Sequence, residues 1–410
     1  MSVVDNSSNV ELDIGNKSSW FRLARRDFLK LFGGGLLVFC ADVSGWSQES
    51  GRGFDSHELP KEIGAWIHIG ADGRITVFTG KVEVGQNIRT SLAQLVAEEL
   101  MVPFDTIAMI MGDTDLTPWD MGTFGSLSTP TMGPKLRSMA AAARQTLVAT
   151  AAKRWKVDPA SLMVADGKIS SSASKQSLTY GELTRGEKLV ATIPNDVHLR
   201  AATDWKIAGT AIPKENGRDF VTGKHSYPSD ISLPGMLYGK VLRPEGFNAT
   251  LDSLDTTEAE KLPGVKVVRD GDFVGLVAPD AFAAEKAIRN IKAKWSVPPQ
   301  PSNANLFEYL KNTPEEGRGE SGPQHVAGSV AKAMESCDVK LSQQYTVQYI
   351  AHAPLEPRAA VAQWEGGKLT VWTGTQRPFG VRDELMAAFH LPATKVRVIQ
   401  PDMGLSLIHI

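Results

Sequence analysis

Cysteine is almost absent: the chain has two, Cys40 and Cys337, in 410 residues. Two thiols cannot build a disulfide framework, a four-thiolate iron–sulfur site or a cysteine zinc site. Metal chemistry, if there is any, has to use a metal held in another way. An excess of one charge is absent too, with 44 Lys and Arg against 46 Asp and Glu and a formal charge of −2. That balance provides no basic surface for nucleic acid. The apolar run at 31–41 is about eleven residues, where a spanning helix needs roughly 20. Also missing are a Walker loop, a Gly-x-Gly-x-x-Gly turn after a strand, a Gly-x-Ser-x-Gly elbow and a His-Glu-x-x-His pair. Gly33-Gly34-Gly35 lies inside the N-terminal apolar run and is not a phosphate loop.

What is present is ordinary globular material. Hydrophobic residues make up 42% and charged residues 22%, enough to build cores and to exclude disorder as the main state. The length suits two or three domains. Residues 1–20 are polar and rich in Ser and Asn. Arg25-Arg26-Asp27-Phe28-Leu29-Lys30 and the glycine-containing apolar run then resemble a twin-arginine export signal, with Ala24 where Ser or Thr is usual. The alternative is a short amphipathic helix with a chance arginine pair. The signal reading predicts a periplasmic protein exported already folded, with association to the inner membrane left open. Lipidation at Cys40 is disfavoured by Phe39 before it.

Two alternating β-branched runs at 65–79 flank Ala71-Asp72-Gly73 and predict a hairpin, with His68 an ordinary strand residue and not a metal ligand. Apolar spacing predicts helices at 90–101, 135–156, 280–293 and 378–389. Strands are expected at 106–111, 236–243, 265–278, 339–348, 359–364, 368–373 and 395–399, and a small strand pair at 161–180 around a Ser-rich turn. The mixture without strict alternation is α+β. The expected division is a signal and lead at 1–48, an α+β segment at 60–195, a second α+β unit at 200–296, a linker at 297–324, a further unit at 325–404 and an anomalous tail at 405–410.

Three glycine-containing polar turns are candidates for chemistry. In Gly80-Lys81-Val82-Glu83-Val84-Gly85-Gln86-Asn87, a Gly-Gln turn before a helix combines backbone N–H groups with a side-chain amide. That suits a phosphate or polar heterocycle, although a plain strand-to-helix connection is the commoner use of such a turn. Gly122-Thr123-Phe124-Gly125-Ser126-Leu127-Ser128-Thr129 is either an anion cradle or an N-cap region. Gln376, in Thr373-Gly374-Thr375-Gln376-Arg377-Pro378, is either a donor to an oxyanion or metal-oxo group or part of a helix start with Pro in its first turn.

Taken in order, these turns resemble the molybdenum-cofactor-binding large subunits of the xanthine dehydrogenase and aldehyde oxidase family, in particular its exported, isoquinoline 1-oxidoreductase-like branch. The resemblance also rests on Ala97-Glu98-Glu99-Leu100, Gly112-Asp113-Thr114, Val221-Thr222-Gly223-Lys224, Asp230-Ile231-Ser232-Leu233-Pro234-Gly235-Met236-Leu237-Tyr238-Gly239, Pro263-Gly264-Val265, His352-Ala353-Pro354-Leu355-Glu356-Pro357 and Val396-Arg397-Val398. Asn87 stands where a third Gly is usual, and Leu127 where Arg is usual. After Pro401-Asp402-Met403-Gly404 a glycine-rich loop is expected, and residues 405–410 match no expected element, so the chain reads as a fragment.

The resemblance implies a multi-domain molybdopterin-binding fold with a hammerhead-like unit at 200–296. It implies hydroxylation of an N-heterocycle or aldehyde with water as oxygen donor. The implied cofactor is molybdenum on a molybdopterin, taken as the cytosine dinucleotide. Electrons would pass to a small partner subunit carrying [2Fe–2S] clusters and on to a cytochrome c. Gly85 and Gln86 fall on positions that touch the pterin or its phosphates, and Gly125, Ser126 and Ser128 on positions for the dinucleotide. Gln376 matches a Gln that bonds the metal's oxo group. Glu356 lies on a pocket-side segment, with a structural ion pair as the alternative. The family's catalytic glutamate is not among these residues, so the chain alone is expected to be inactive. The competing reading is a non-catalytic exported binding or assembly protein, or a truncated remnant.

Overall fold

The computed structural model describes residues 35–39, 66–185, 188–192, 197–313, 327–349, 354 and 356–404, with the backbone alone for 35–39 and 188–192. Arg25-Arg26, His352, Leu355 and the tail at 405–410 lie outside the described residues. The chain forms two compact units, one from residues up to 231 together with those from 351 onward, the other from 232–350.

The first unit opens with β1 (Gly35–Phe39), β2 (Ile67–Gly70) and β3 (Ile75–Thr79). β2 and β3 are the expected hairpin, with Gly73 at φ 82 in its turn. Helix α1 (Ile88–Leu100) carries the chain to β4 (Ile107–Met111), which lies parallel to β3. A π-turn at Ser128–Met132 leads into α2 (Gly133–Trp155). The expected strand pair is a three-stranded sheet of β5 (Leu162–Ala165), β6 (Lys168–Ser171) and β7 (Gln176–Thr179). A capped turn of helix, Tyr180–Thr184, precedes β8 (Lys188–Thr192). The main sheet runs β4-β3-β2-β1-β8. Its core joins Ile67, Ile69, Ile75 and Val77 to Leu92 and Val96 of α1 and Leu136, Met139 and Leu147 of α2. Leu92 and Leu136 are fully buried, so truncating either to Ala would cost about 2–5 kcal/mol.

In the second unit β9 (Tyr238–Leu242), β11 (Lys266–Asp270) and β12 (Phe273–Ala278) form a sheet in the order β11-β12-β9. A pair unexpected from the sequence, β10 (Thr250–Asp255) and β13 (Lys292–Ser296), lies beside it in the chain order. Helix α3 (Ala281–Ile288) starts where the Asp280 carboxylate accepts the Ala283 N–H. It ends five residues before the helix expected at 280–293, because the alternating Lys292–Ser296 has a strand partner in β10.

Back in the first unit, β14 (Ala360–Glu365) and β15 (Lys368–Thr373) form a hairpin on Gly366-Gly367, both at positive φ. Helix α4 (Pro378–Phe389) leads to β16 (Val396–Ile399), parallel to β15.

The compact units part near 231, beyond the division expected near 200. Residues 197–231 belong with the first unit because polar side chains of α1 hold them. Glu98 accepts N–H bonds from Lys206, Ile207 and Ala208, Gln94 donates to the Ile207 and Thr210 carbonyls, and Thr90 accepts from Glu215. The strand expected at 339–348 does not form, since its alternation has no ladder partner among the described residues.

Candidate cofactor site

The three polar turns, distant in sequence, meet at Thr123. Its hydroxyl accepts the Val82 N–H at 2.9 Å, across 41 residues. Its carbonyl accepts the Gln376 side-chain amide at 2.7 Å, across 253 residues, and its N–H donates to the Gln376 carbonyl at 2.9 Å. Beneath this junction Lys81 Nζ sits 2.9 Å from the Asp120 carboxylate and donates to the Gly122 carbonyl at 2.6 Å, with both charged side chains buried. Gly80 has to be glycine here, because a Cβ would lie 2.5 Å from the Asp120 Cβ and 2.7 Å from the Pro118 carbonyl.

The first turn is organised around Glu83, which is 1% exposed. Its Oε1 accepts the N–H groups of Gly85 and Asn87 and the Lys214 ammonium, and its Oε2 accepts the Arg89 N–H. The carboxylate thus caps α1, whose N-cap residue Asn87 offers no side-chain cap. Asn87 sits at φ 65, the left-handed region that Asn tolerates better than most residues, so Asn in place of the usual Gly keeps the turn's backbone.

Pro401–Gly404 runs past this turn. The Met403 N–H donates to the Glu83 carbonyl, and Met403 packs with Val82 and Val84. A Cβ on Gly374 would lie 3.0 Å from Met403 Sδ. Arg89 bonds Asp402 at 2.5 Å and the Met109 carbonyl. Burial works against the Arg89 charge, but Asp402, Glu215 and Glu83 outweigh it and raise its pKa. Gln400 Nε2 donates to the Glu83 carbonyl, while its Oε1 is buried without a donor. A bridge between Asp113 and Ile399, with the Arg397–Asp113 ion pair, ties the end of β4 to β16. Around this segment Phe220, His225 and Tyr227 pack ring on ring, and His225 Nε2 is 3.5 Å from the Asp402 carbonyl. Burial, then Glu356, Asp230 and Asp402, raise the Tyr227 pKa.

Gly85, Gln86, Gln376 and Glu356 therefore stand around two junctions, Thr123 and residues 400–404. Gly85 is exposed at φ 99, and a side chain there would meet nothing nearer than the Met403 carbonyl at 3.9 Å. Both glutamine amides are turned inward. Gln86 accepts from Val84 N–H and donates to the Val82 carbonyl, and Gln376 donates to Thr123. Gly125 and Ser126 form an exposed turn at φ 66 and 58, and Ser128 begins the π-turn into α2. The hydroxyls of Ser126 and Ser128 make no hydrogen bond among the described residues. Glu356 accepts the Gly404 N–H at 2.6 Å. Among the described residues no group of three His, Cys, Asp or Glu could hold a metal ion, and no helix is long and apolar enough to cross a membrane.

The family model described as a molybdopterin cofactor-binding domain matches residues 24–231, and a second of the same description matches 315–406. The chain belongs to the molybdopterin cofactor-binding subunits of the xanthine dehydrogenase family. Among its relatives are a nicotinate dehydrogenase subunit of Pseudomonas putida, 30% identical over 89% of this chain and 31% of the relative, and the beta subunit of isoquinoline 1-oxidoreductase of Brevundimonas diminuta, 28% identical over 87% and 52%. A membrane-bound aldehyde dehydrogenase (pyrroloquinoline-quinone) of Gluconacetobacter polyoxogenes is 26% identical over 81% and 44%. The molybdopterin-binding chain thus spans about a third to a half of the relatives' length.

A pterin fits these residues through the open turns and unsatisfied side-chain groups, and not through the amides of Gln86 and Gln376. The open Gly85, the exposed Gly125-Ser126 turn with its unpaired hydroxyl, and the donorless Asn87 Oδ1 and Gln400 Oε1 are groups that a hydrogen-bonding heterocycle with a polar tail satisfies. Sequence reasoning missed Lys214, Arg89 with Asp402, and Gln400, and it took Thr123 only as one hydroxyl of a candidate turn. The opposite charges of Asp113 and Arg397, both inside segments already singled out, were the one available signal that those segments meet.

Proposed function

We propose that the protein is the molybdenum-cofactor subunit of a hydroxylase or dehydrogenase acting on an N-heterocycle or an aldehyde. The observation that carries this reading is the junction of the three turns at Thr123 inside a chain of the molybdopterin-binding family. Such a cofactor, when bound, supplies two-electron oxidation of a carbon with water as the oxygen source. In this reading Gly85 and the Gly125–Ser128 turn hold it, in its cytosine dinucleotide form, and Gln376 fixes the turn beside it through Thr123. Neither Glu83 nor Glu356 serves as the base: Glu83 is enclosed by three N–H groups and Lys214, and Glu356 is bonded to Gly404. Electrons leave through a small [2Fe–2S] subunit to a cytochrome c, and the arginine pair at 25–26 directs export to the periplasm. The names of the relatives favour nicotinate-like and isoquinoline-like rings, with aldehydes next.

The test is expression of the full-length gene product with its co-purifying partners. Molybdenum is measured by elemental analysis, and nicotinate, isoquinoline and benzaldehyde are offered in isotopically labelled water. Bound molybdenum with label in the product is expected. A second reading, an exported binding or assembly protein on this fold, draws on the inward-facing amides of Gln86 and Gln376. Molybdenum-free protein without turnover on any of the three would favour it.

A further inference from the structure

A helix N-terminus exposes N–H groups and a partial positive charge, and an anion ordinarily finds a place there. At α1 that place is filled by the chain's own carboxylate. Three backbone N–H groups, from Gly85, Asn87 and Arg89, converge on Glu83 at 2.9–3.0 Å, and Lys214 Nζ adds a full charge at 3.1 Å. We propose that Glu83 is a built-in anion that holds the Gly85 turn in the shape that meets the cofactor.

Three N–H groups of this turn, those of Gly85, Asn87 and Arg89, are spent on Glu83. A second anion beside them would face a buried carboxylate, and like charges at contact distance disfavour each other strongly. The turn also leaves acceptors over. Asn87 Oδ1 is buried without a donor, and so is Oε1 of Gln400, whose amide nitrogen is already bonded to the Glu83 carbonyl. Buried acceptors without donors are satisfied by a ligand's amino or ring N–H groups. The turn also holds two residues at positive φ, Gly85 at 99 and Asn87 at 65. Such a conformation persists when surrounding bonds over-determine it, and Glu83 accepts the N–H of both. Glu83 therefore acts through Gly85 and Asn87, as a positioning residue that does not itself touch the cofactor. Lys214 pairs with the carboxylate and carries the restraint onward, since its ammonium also lies 5.0 Å from the centre of the Phe220 ring, which stacks on His225.

The inference deepens the molybdopterin reading and rests on it, so its test separates the two. Wild type, Glu83→Ala and Glu83→Gln are purified as the full chain with co-purifying partners. Molybdenum per chain and the thermal midpoint are read with and without formate, a carboxylate small enough to enter the space that Ala leaves. Glu83→Ala should lose roughly 10- to 100-fold in molybdenum affinity, the usual loss when a group that orients direct contacts is removed. Its thermal midpoint should fall by about 2–4 °C, the shift expected for one lost helix cap in a unit of this size. Formate should restore both quantities in Glu83→Ala and neither in Glu83→Gln, whose side chain fills the space and sets an NH2 group against backbone donors. Wild-type molybdenum content in Glu83→Ala, or no rescue by formate, overturns the inference. If Glu83→Ala does not fold, Glu83→Gln decides, and wild-type molybdenum content in it overturns the inference equally. Wild type without molybdenum, with formate still restoring the midpoint of Glu83→Ala, overturns the molybdopterin reading and leaves Glu83 as the anchor of the turn.

Discussion

His68 makes the stability of the first unit depend on pH in a window where few other groups titrate. It lies in β2, opposite Thr76 of β3, and is 3% exposed. Burial lowers its pKa from 6.5 to about 4, with Asp72 pulling weakly the other way. The folded state therefore keeps the ring neutral where the unfolded chain protonates it. A depressed folded pKa means that the full stability is present above pH 6.5 and is lost as pH falls toward 4. At pH 5 the unfolded chain gains about 2 kcal/mol from protonation that the folded state cannot match, and the loss levels off near 3 kcal/mol below pH 4. Urea unfolding at pH 7, 6 and 5, followed by tryptophan fluorescence with the buried Trp66 two residues away, reads this directly. In His68→Gln, which has nothing to protonate, the difference between pH 7 and pH 5 should shrink by about 2 kcal/mol relative to wild type. Equal slopes in the two proteins would refute the reasoning, because the buried ring would then be protonated as easily as a solvated one.

Thr123→Val keeps the shape but strands the Val82 N–H, and should cost about 1–3 kcal/mol; Thr123→Ser should recover most of it in the same urea assay, and an unchanged Thr123→Val would remove the hydroxyl from the junction. Lys81→Met leaves Asp120 buried without its partner and should cost about 3–5 kcal/mol, whereas Lys81→Met with Asp120→Leu should cost far less. Equal losses in the single and double variants, by thermal denaturation, would mean the pair is not a coupled unit. Replacing Arg25 and Arg26 with Lys should hold the full-length protein in the cytoplasm, and unchanged periplasmic delivery on fractionation would sink the export reading.

Local pattern was enough for much of the fold. The Ala71-Asp72-Gly73 turn with β-branched flanks fixed the β2–β3 hairpin, and the spacing of Leu92, Val96 and Leu100 the face of α1. These are legible because neighbours in sequence determine them: a turn conformation, or the side of a helix that meets a core. The three turns were legible for the same reason, as dense runs of glycine with hydroxyl and amide side chains. Their partners were not. Periodicity reports whether a residue is buried, not what it is buried against. Nothing local told Gln376 to spend its amide on a carbonyl 253 positions away, or Glu83 to receive Lys214. The same limit explains the strand expected at 339–348, where alternation marks a strand-ready segment but only a neighbouring strand can complete its ladder. It also explains residues 197–231, whose attachment to α1 runs through Glu98, a charge that on a bare sequence reads as a solvated helix face. The tertiary structure alone decided that this carboxylate and Glu83 point inward, because a buried charge is tolerable only where several donors arrive together from separate parts of the chain.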